Sequence, residues 1–153
     1  MGNMYTLYPD HFGAIVCAVP LLDMKRYTKL LAGASWAGEY GDPDTEDWSF
    51  IQTFSPYHNI DPDGDYPPIL FTTSTRDDRV HPGHARKMAA ALESVNKRLL
   101  YYENIEGGHG GAANNEQAAF MTTLATEFLW RVLGGEDLFA SEEVQPASEE
   151  SAP

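Results

Sequence analysis

Two segments of the chain carry residue types that nucleophilic catalysis needs. Residues 74–88, S-T-R-D-D-R-V-H-P-G-H-A-R-K-M, place the paired aspartates Asp77 and Asp78 shortly after an apolar run. Residues 106–111, E-G-G-H-G-G, place His109 among four glycines. A carboxylate can fix the tautomer of an imidazole and stabilise its protonated form, while flexible glycines let the histidine reach a nucleophile. These segments therefore indicate two of the three parts of a catalytic triad.

The elements around these segments alternate between strands and helices. Apolar runs predict strands at residues 13–19, 69–74 and 99–103. Apolar periodicity and capping signals predict helices at residues 1–8, 23–32, 45–54, 82–95 and 115–133. Because strands separated by helices pair in parallel, the predicted class is α/β, with a short, mainly parallel sheet of about three strands flanked by helices.

This topology brings the two segments together. Ligands and catalytic groups gather beyond the carboxyl ends of parallel strands, and Asp77 follows the second strand while His109 follows the third. The two side chains are therefore expected to meet. The alternative is structural, since an aspartate at a strand end also caps turns and a glycine-rich loop also simply turns.

Composition and charge narrow the class of protein. The 153 residues carry a formal net charge of −13, which argues against a nucleic-acid partner. No apolar run is long enough for a membrane span and the N-terminus lacks the pattern of a signal peptide, so a cytoplasmic protein is expected. Residues 1–134 are predicted to form one domain, and the acidic residues 135–153 a disordered tail.

The other reactive side chains have simpler interpretations. The single cysteine, Cys17, lies within the apolar run A-I-V-C-A-V and is interpreted as a buried hydrophobic residue. His81 and His84 are interpreted as surface and helix-cap residues, because no further ligands are spaced for zinc. Neither a metal nor another cofactor is expected.

Several spaced motifs then resemble a known family. They occur in a fixed order over residues 1–134: Y-P-D-H-F-G-A-I-V-C-A-V-P-L-L-D-M, G-A-S-W-A-G-E-Y-G-D-P, F-S-P-Y-H-N-I, Y-P-P-I-L-F-T-T-S-T-R-D-D-R-V-H-P-G-H-A-R-K-M and Y-Y-E-N-I-E-G-G-H-G. This series resembles the C-terminal part of the peptidase domain of the prolyl oligopeptidase family of serine hydrolases. The resemblance implies a partial α/β-hydrolase fold with Asp77 as the triad acid and His109 as the base. It also implies that Arg79 binds a substrate carbonyl and that Asp78 is not the acid.

The expected nucleophile departs from the family pattern. In the family the serine lies in G-G-S-N-G-G, on an elbow upstream of the segment that M-G-N-M-Y resembles, and no G-x-S-x-G occurs in this sequence. The chain is therefore expected to lack the family's serine, unless the coding sequence extends upstream of Met1. Ser35, in G-A-S-W-A, is a poor replacement because it follows a predicted helix instead of a strand, and Cys17 is poorer still.

Two functions remain open at this stage. The first is weak hydrolysis of a peptide or small ester, in which Asp77 and His109 act on a different nucleophile or on water. The second is a non-catalytic fragment that folds as an oligomer or binds a partner chain. A three-stranded sheet leaves the strand at residues 14–19 on an open edge, so a homo-oligomer formed through this edge is predicted.

Overall fold

A three-stranded parallel sheet forms the centre of the molecule. The computed structural model describes residues 1–140, so the predicted tail lies outside the described residues from residue 141 onward. The strands are β1 (Ile15–Ala18), β2 (Ile69–Ser74) and β3 (Leu99–Asn104), in the order β1-β2-β3, and both pairings are parallel. The predicted α/β class and the parallel sheet are confirmed.

Within residues 1–140, five α-helices and several 3₁₀ segments surround the sheet. The α-helices are α1 (Gly2–Leu7), α2 (Ala37–Tyr40), α3 (Trp48–Ile51), α4 (Gly83–Ser94) and α5 (Asn115–Leu133). The 3₁₀ segments are Pro9–His11, Tyr27–Lys29, Leu31–Trp36, Gln52–Phe54 and Pro56–Asn59. No helix within residues 1–140 is long and apolar enough to cross a membrane.

The main core lies between the sheet and α4. All six residues of β2 are buried, as expected for the central strand of a parallel sheet. The apolar core contains the following side chains from the strands and helices: Tyr5, Ile15, Cys17, Leu22, Tyr66, Ile69, Phe71, Met88, Ala89 and Leu92. Burial of such side chains contributes roughly 1.5–3 kcal/mol each and fixes α4, whose first turn follows the Asp77 segment.

Helix α5 is much less buried than α4. Of its residues only Phe128 is buried, whereas Phe120, Leu133 and Trp130 are exposed, the last at 78%. The same helix lies beside β1, where Val16, Ala18 and Leu129 are among the residues that line an apolar groove. Within the described residues β1 pairs only with β2, so the outer edge of β1 is open.

The predicted helix at residues 23–32 is wrong. The segment instead forms two 3₁₀ turns, and Leu31 adopts a positive φ of 50°. Asp23 does not cap a helix there, because its side chain is buried against α4, where Lys87 binds it. A tertiary ion pair has therefore replaced the local helical pattern.

Candidate active site

Asp77 and His109 meet at the carboxyl ends of β2 and β3. The Nδ1 atom of His109 lies 3.1 Å from Oδ1 and 3.0 Å from Oδ2 of Asp77. The Asp77 side chain is 0% exposed, while that of His109 is 34% exposed. The carboxylate is therefore shielded from water, and the imidazole reaches the surface.

The carboxylate of Asp77 is fixed by its own turn. Its Oδ1 accepts hydrogen bonds from the backbone N–H groups of Arg79 and Val80, each at 2.9 Å. The Asp77 N–H in turn donates to the carbonyl of Ser74, the last residue of β2. Asp78, one residue further, is exposed. The turn thus directs only the first of the paired aspartates towards His109.

The glycines around His109 are required by the loop's geometry. A Cβ on Gly107 would lie 2.4 Å from the carbonyl oxygen of Gly111, which is too close for any side chain. Gly111 has a φ of +86°, a conformation that favours glycine. The loop can therefore fold tightly behind the imidazole only with glycine at these positions.

Two polar residues that sequence reasoning missed contact this loop. Ser74 and Asn104, the last residues of β2 and β3, are buried. The Ser74 hydroxyl donates to the carbonyl of Gly111 at 2.9 Å, and the Asn104 amide accepts from the N–H of Gly107 at 2.8 Å. Sequence patterns gave no signal for either residue, because Thr72, Thr73 and Glu103 already place polar side chains in these strands.

Arg79 and Ser35 lie near the site without joining the Asp77–His109 contact. The Arg79 side chain is exposed, and its backbone carbonyl accepts a hydrogen bond from the N–H of Ala32 at 3.3 Å. Ser35, in the adjacent Leu31–Trp36 segment, donates its hydroxyl to the carbonyl of Ala32 at 2.6 Å. The structure therefore brings Asp77 and His109 together, and engages the Ser35 hydroxyl within its own turn.

Cys17 is not available as a nucleophile. It lies in β1 and is buried in the main core. Burial raises the pKa of its thiol to about 11, so the thiolate is scarce at neutral pH.

A second Ser–His–Asp contact occurs elsewhere in the chain. The Ser55 hydroxyl lies 2.8 Å from Nδ1 of His58, whose Nε2 lies 4.0 Å from the Asp23 carboxylate. Ser55 is fully buried and accepts a hydrogen bond from the N–H of Met24, so no substrate could reach it. Burial, the largest contribution, lowers the pKa of His58. The cluster is a packing network that sequence reasoning missed.

The interpretation of His84 as a surface or cap residue is wrong. His84 is 1% exposed, and its Nδ1 accepts a hydrogen bond from the N–H of Asp23 at 3.0 Å. Burial lowers the pKa of this imidazole to about 4. His81 is partly buried and precedes the N-cap Pro82, and its Nδ1 accepts from the N–H of Gly83 at 2.9 Å. Within residues 1–140 neither histidine belongs to a group of three or more residues able to hold a metal ion.

Comparison with known proteins places the described domain among peptidases. Residues 1–136 match the sequence model of the prolyl oligopeptidase family. The chain is 47% identical over 134 residues to an uncharacterised peptidase of Sinorhizobium fredii, and the match covers 87% of this chain and 18% of the relative. It is 48% identical over 134 residues to the prolyl oligopeptidase ophP of Omphalotus olearius, covering 82% of this chain and 18% of that protein.

Solved structures agree with the sequence relatives. A post-proline cleaving enzyme from Rickettsia typhi superposes with a TM-score of 0.84 at 35% identity, covering 87% of this chain and 20% of that enzyme. The chain thus spans about a fifth of the length of the relatives it matches.

Proposed function

The chain belongs to the prolyl oligopeptidase family of serine peptidases, and we propose that it supplies the acid and the base, Asp77 and His109, for hydrolysis of a peptide or small ester. The observation that carries this proposal is the contact of His109 Nδ1 with both oxygens of a fully buried carboxylate. This contact leaves Nε2 free to accept a proton from a nucleophile, while the carboxylate stabilises the imidazolium that forms.

The nucleophile is the part of the proposed reaction that this sequence does not provide in the family's pattern. No G-x-S-x-G occurs in the 153 residues, so the proton reaching Nε2 of His109 comes from a serine on another segment or from water. With water as the nucleophile the activity should be weak, because the G-G-S-N-G-G elbow, which supplies backbone oxyanion-hole donors in the family, does not occur in this sequence. The loss of a single such donor slows these reactions by about a hundredfold or more. Arg79, exposed beside Asp77, is proposed to bind the substrate carbonyl.

Turnover of a p-nitrophenyl ester tests this proposal. We expect slow hydrolysis by the chain as it stands, with His109→Ala and Asp77→Asn each lowering kcat/KM by about a hundredfold, the usual contribution of a positioned base. Asp78→Asn is the matched control, because Asp78 is the neighbouring aspartate and is exposed, whereas it is Asp77 that contacts His109. Turnover that is unchanged in both site variants would contradict the proposal, and fluorophosphonate labelling of Ser35 would identify that serine as the nucleophile.

The alternative function, a non-catalytic chain that assembles with itself, is favoured by the exposed apolar surface. In the part of the chain that the structure describes, no strand pairs with the outer edge of β1, and beside it α5 exposes Trp130 and Leu133. Open strand edges pair readily with other chains, and large exposed apolar patches mark interaction sites. We propose that a second copy docks here, along the edge strand at residues 14–19.

Size-exclusion chromatography with light scattering tests the assembly. At micromolar concentration we expect a dimer, and Trp130→Glu should raise its dissociation constant about thirtyfold, since a central aromatic contact contributes about 2 kcal/mol. Phe50→Glu is the matched control, because Phe50 is also a largely exposed aromatic residue but lies on α3. A monomer at this concentration would rule out the proposed dimer.

A further inference from the structure

Hydrogen bonds to Asn104 anchor the loop that carries His109 where it leaves β3. Asn104, the last residue of β3, is 3% exposed, and its Oδ1 accepts hydrogen bonds from the N–H groups of Glu106 at 2.9 Å and Gly107 at 2.8 Å. Its Nδ2 donates to Oε1 of Gln117 at 2.9 Å. Two backbone donors on one side and an amide oxygen on the other fix the orientation of the Asn104 side chain.

Hydrogen bonds to Gln117 anchor the same loop where it enters α5. Gln117 lies in the first turn of α5, and its Oε1 also accepts a hydrogen bond from the N–H of Ala113 at 2.8 Å. Its Nε2 donates to Oε2 of Glu106 at 2.6 Å. One glutamine therefore joins the start of the loop, the end of the loop and Asn104.

A third hydrogen bond ties the loop to the strand that leads to Asp77. The hydroxyl of Ser74, which closes β2, donates to the carbonyl of Gly111. Because the Asp77 N–H donates to the carbonyl of the same Ser74, both partners of the imidazole–carboxylate contact are positioned from one residue.

From this arrangement we propose that Asn104 is a positioning residue that holds His109 against Asp77, a role that rests on the proposed hydrolytic function. A loop with four glycines loses much conformational entropy on ordering, and its one large apolar side chain, that of Ile105, is 72% exposed. The hydrogen bonds of Asn104 and Gln117 offset that loss. Without Asn104, the buried N–H of Gly107 has no acceptor, so the loop must open to hydrate it.

Imidazole NMR tests the proposal without any substrate. In the wild-type chain at neutral pH we expect His109 to show one tautomer, with the proton on Nδ1 protected from solvent exchange by Asp77. Asn104→Ala should mix the two tautomers and raise the exchange rate of the Nδ1 proton about tenfold, as expected when the net stabilisation from one or two hydrogen bonds is lost. Asn104→Asp keeps an acceptor for Glu106 and Gly107 and should restore most of the protection.

Two further variants keep the test decisive. Gln117→Ala removes the hydrogen bonds between the loop and α5. Because Gln117 is partly exposed, this variant reports on the loop even if Asn104→Ala fails to fold. Asn59→Ala is the matched control, because Asn59 likewise makes two side-chain hydrogen bonds to the backbone. Its Nδ2 donates to the carbonyls of Gln52 and Ser55, in a different segment from the His109 loop. The positioning role would be overturned if the His109 signal were unchanged in both Asn104→Ala and Gln117→Ala. It would also be overturned if Asn59→Ala raised the exchange rate of the His109 Nδ1 proton as much as Asn104→Ala does. Absence of wild-type ester turnover would instead refute the proposed function and leave this readout intact.

Discussion

Replacing Asp23 with alanine should lower the free energy of unfolding by about 3 kcal/mol, because the substitution breaks a buried charge network. The Asp23 side chain is 1% exposed, and its carboxylate accepts hydrogen bonds from Lys87 and from Arg26, the latter at 3.1 Å. Burial opposes ionisation of this carboxyl, but the two cations more than offset it and lower its pKa. The carboxylate is therefore charged in the folded protein at neutral pH.

The expected loss lies at the lower end for a buried ion pair because the cations can reach water. The side chains of Lys87 and Arg26 are partly exposed, so neither becomes a fully buried, uncompensated charge when Asp23 is removed. Asp23→Asn should lose less than Asp23→Ala, since it keeps an oxygen that can accept from the N–H of Lys25.

Urea unfolding at neutral pH measures this effect, with Asp44→Ala as the control. Asp44 is also a carboxylate paired with lysines, since it lies 2.8 Å from Nζ of Lys29, but its side chain is half exposed. Surface ion pairs contribute little, so Asp44→Ala should leave the unfolding midpoint nearly unchanged. Equal shifts in the two variants would show that the Asp23 network stabilises the fold no more than a surface pair.

The parts of the fold that the sequence predicted are those with strong local signals. The runs around Ile69 and Leu99 are apolar and bounded by turn residues, and both became strands within one residue of the predicted ends. Topology then followed, because helices between strands require parallel pairing and place Asp77 and His109 at the same edge of the sheet. The proximity of Asp77 and His109 needed no information beyond the order of these elements.

The parts that could not be predicted depend on contacts distant in sequence. The segment after Asp23 has the spacing of a short helix, but Lys87 and His84, some sixty residues away, bind Asp23 instead. Nothing near His84 in the sequence shows that its ring accepts a backbone hydrogen bond from the β1–β2 connection. Likewise, nothing in the sequence distinguishes Asn104 from other polar residues, because its hydrogen bonds form only when the loop that follows it folds back.

Helix α5 shows a different limit of sequence patterns. Its apolar repeat at Phe120, Leu124, Phe128 and Val132 predicted the helix and its ends correctly, yet only Phe128 is buried. Periodicity reports which face of a helix is apolar, but it does not report whether the described chain contains the surface that covers that face.

Lowering the pH from 7 to 4 should destabilise the protein by roughly 3 kcal/mol through His84. Burial lowers the pKa of this imidazole from 6.5 to about 4 in the folded state. Between these two values the unfolded chain binds a proton that the folded chain does not. The contribution of His84 to stability is therefore complete above pH 6.5 and is lost as the pH falls towards 4.

The charged groups around His84 shift its pKa less than burial does, and the other shifted groups titrate in their own pH ranges. Asp23 favours protonation of the ring, whereas His81 and Lys87 oppose it, but burial dominates. His58 also has a lowered pKa and should add a loss of the same sign between its unfolded and folded values. Carboxylates with lowered pKa values lose their contribution to stability only at lower pH, since Arg86 lowers the pKa of Glu103 to about 2.

Urea unfolding at pH values from 7 to 4.5 checks the assignment with two variants. His84→Asn keeps an oxygen that can accept from the N–H of Asp23 but cannot titrate, so the free energy of unfolding should fall less steeply with decreasing pH. His81→Asn is the matched control, because His81 lies just before the same helix and is only partly buried, and it should change the slope less than His84→Asn does. If His84→Asn also keeps the wild-type slope, the acid sensitivity of the fold must come from another group. His58 is then the next residue to replace, because its ring lies beside the Asp23 carboxylate.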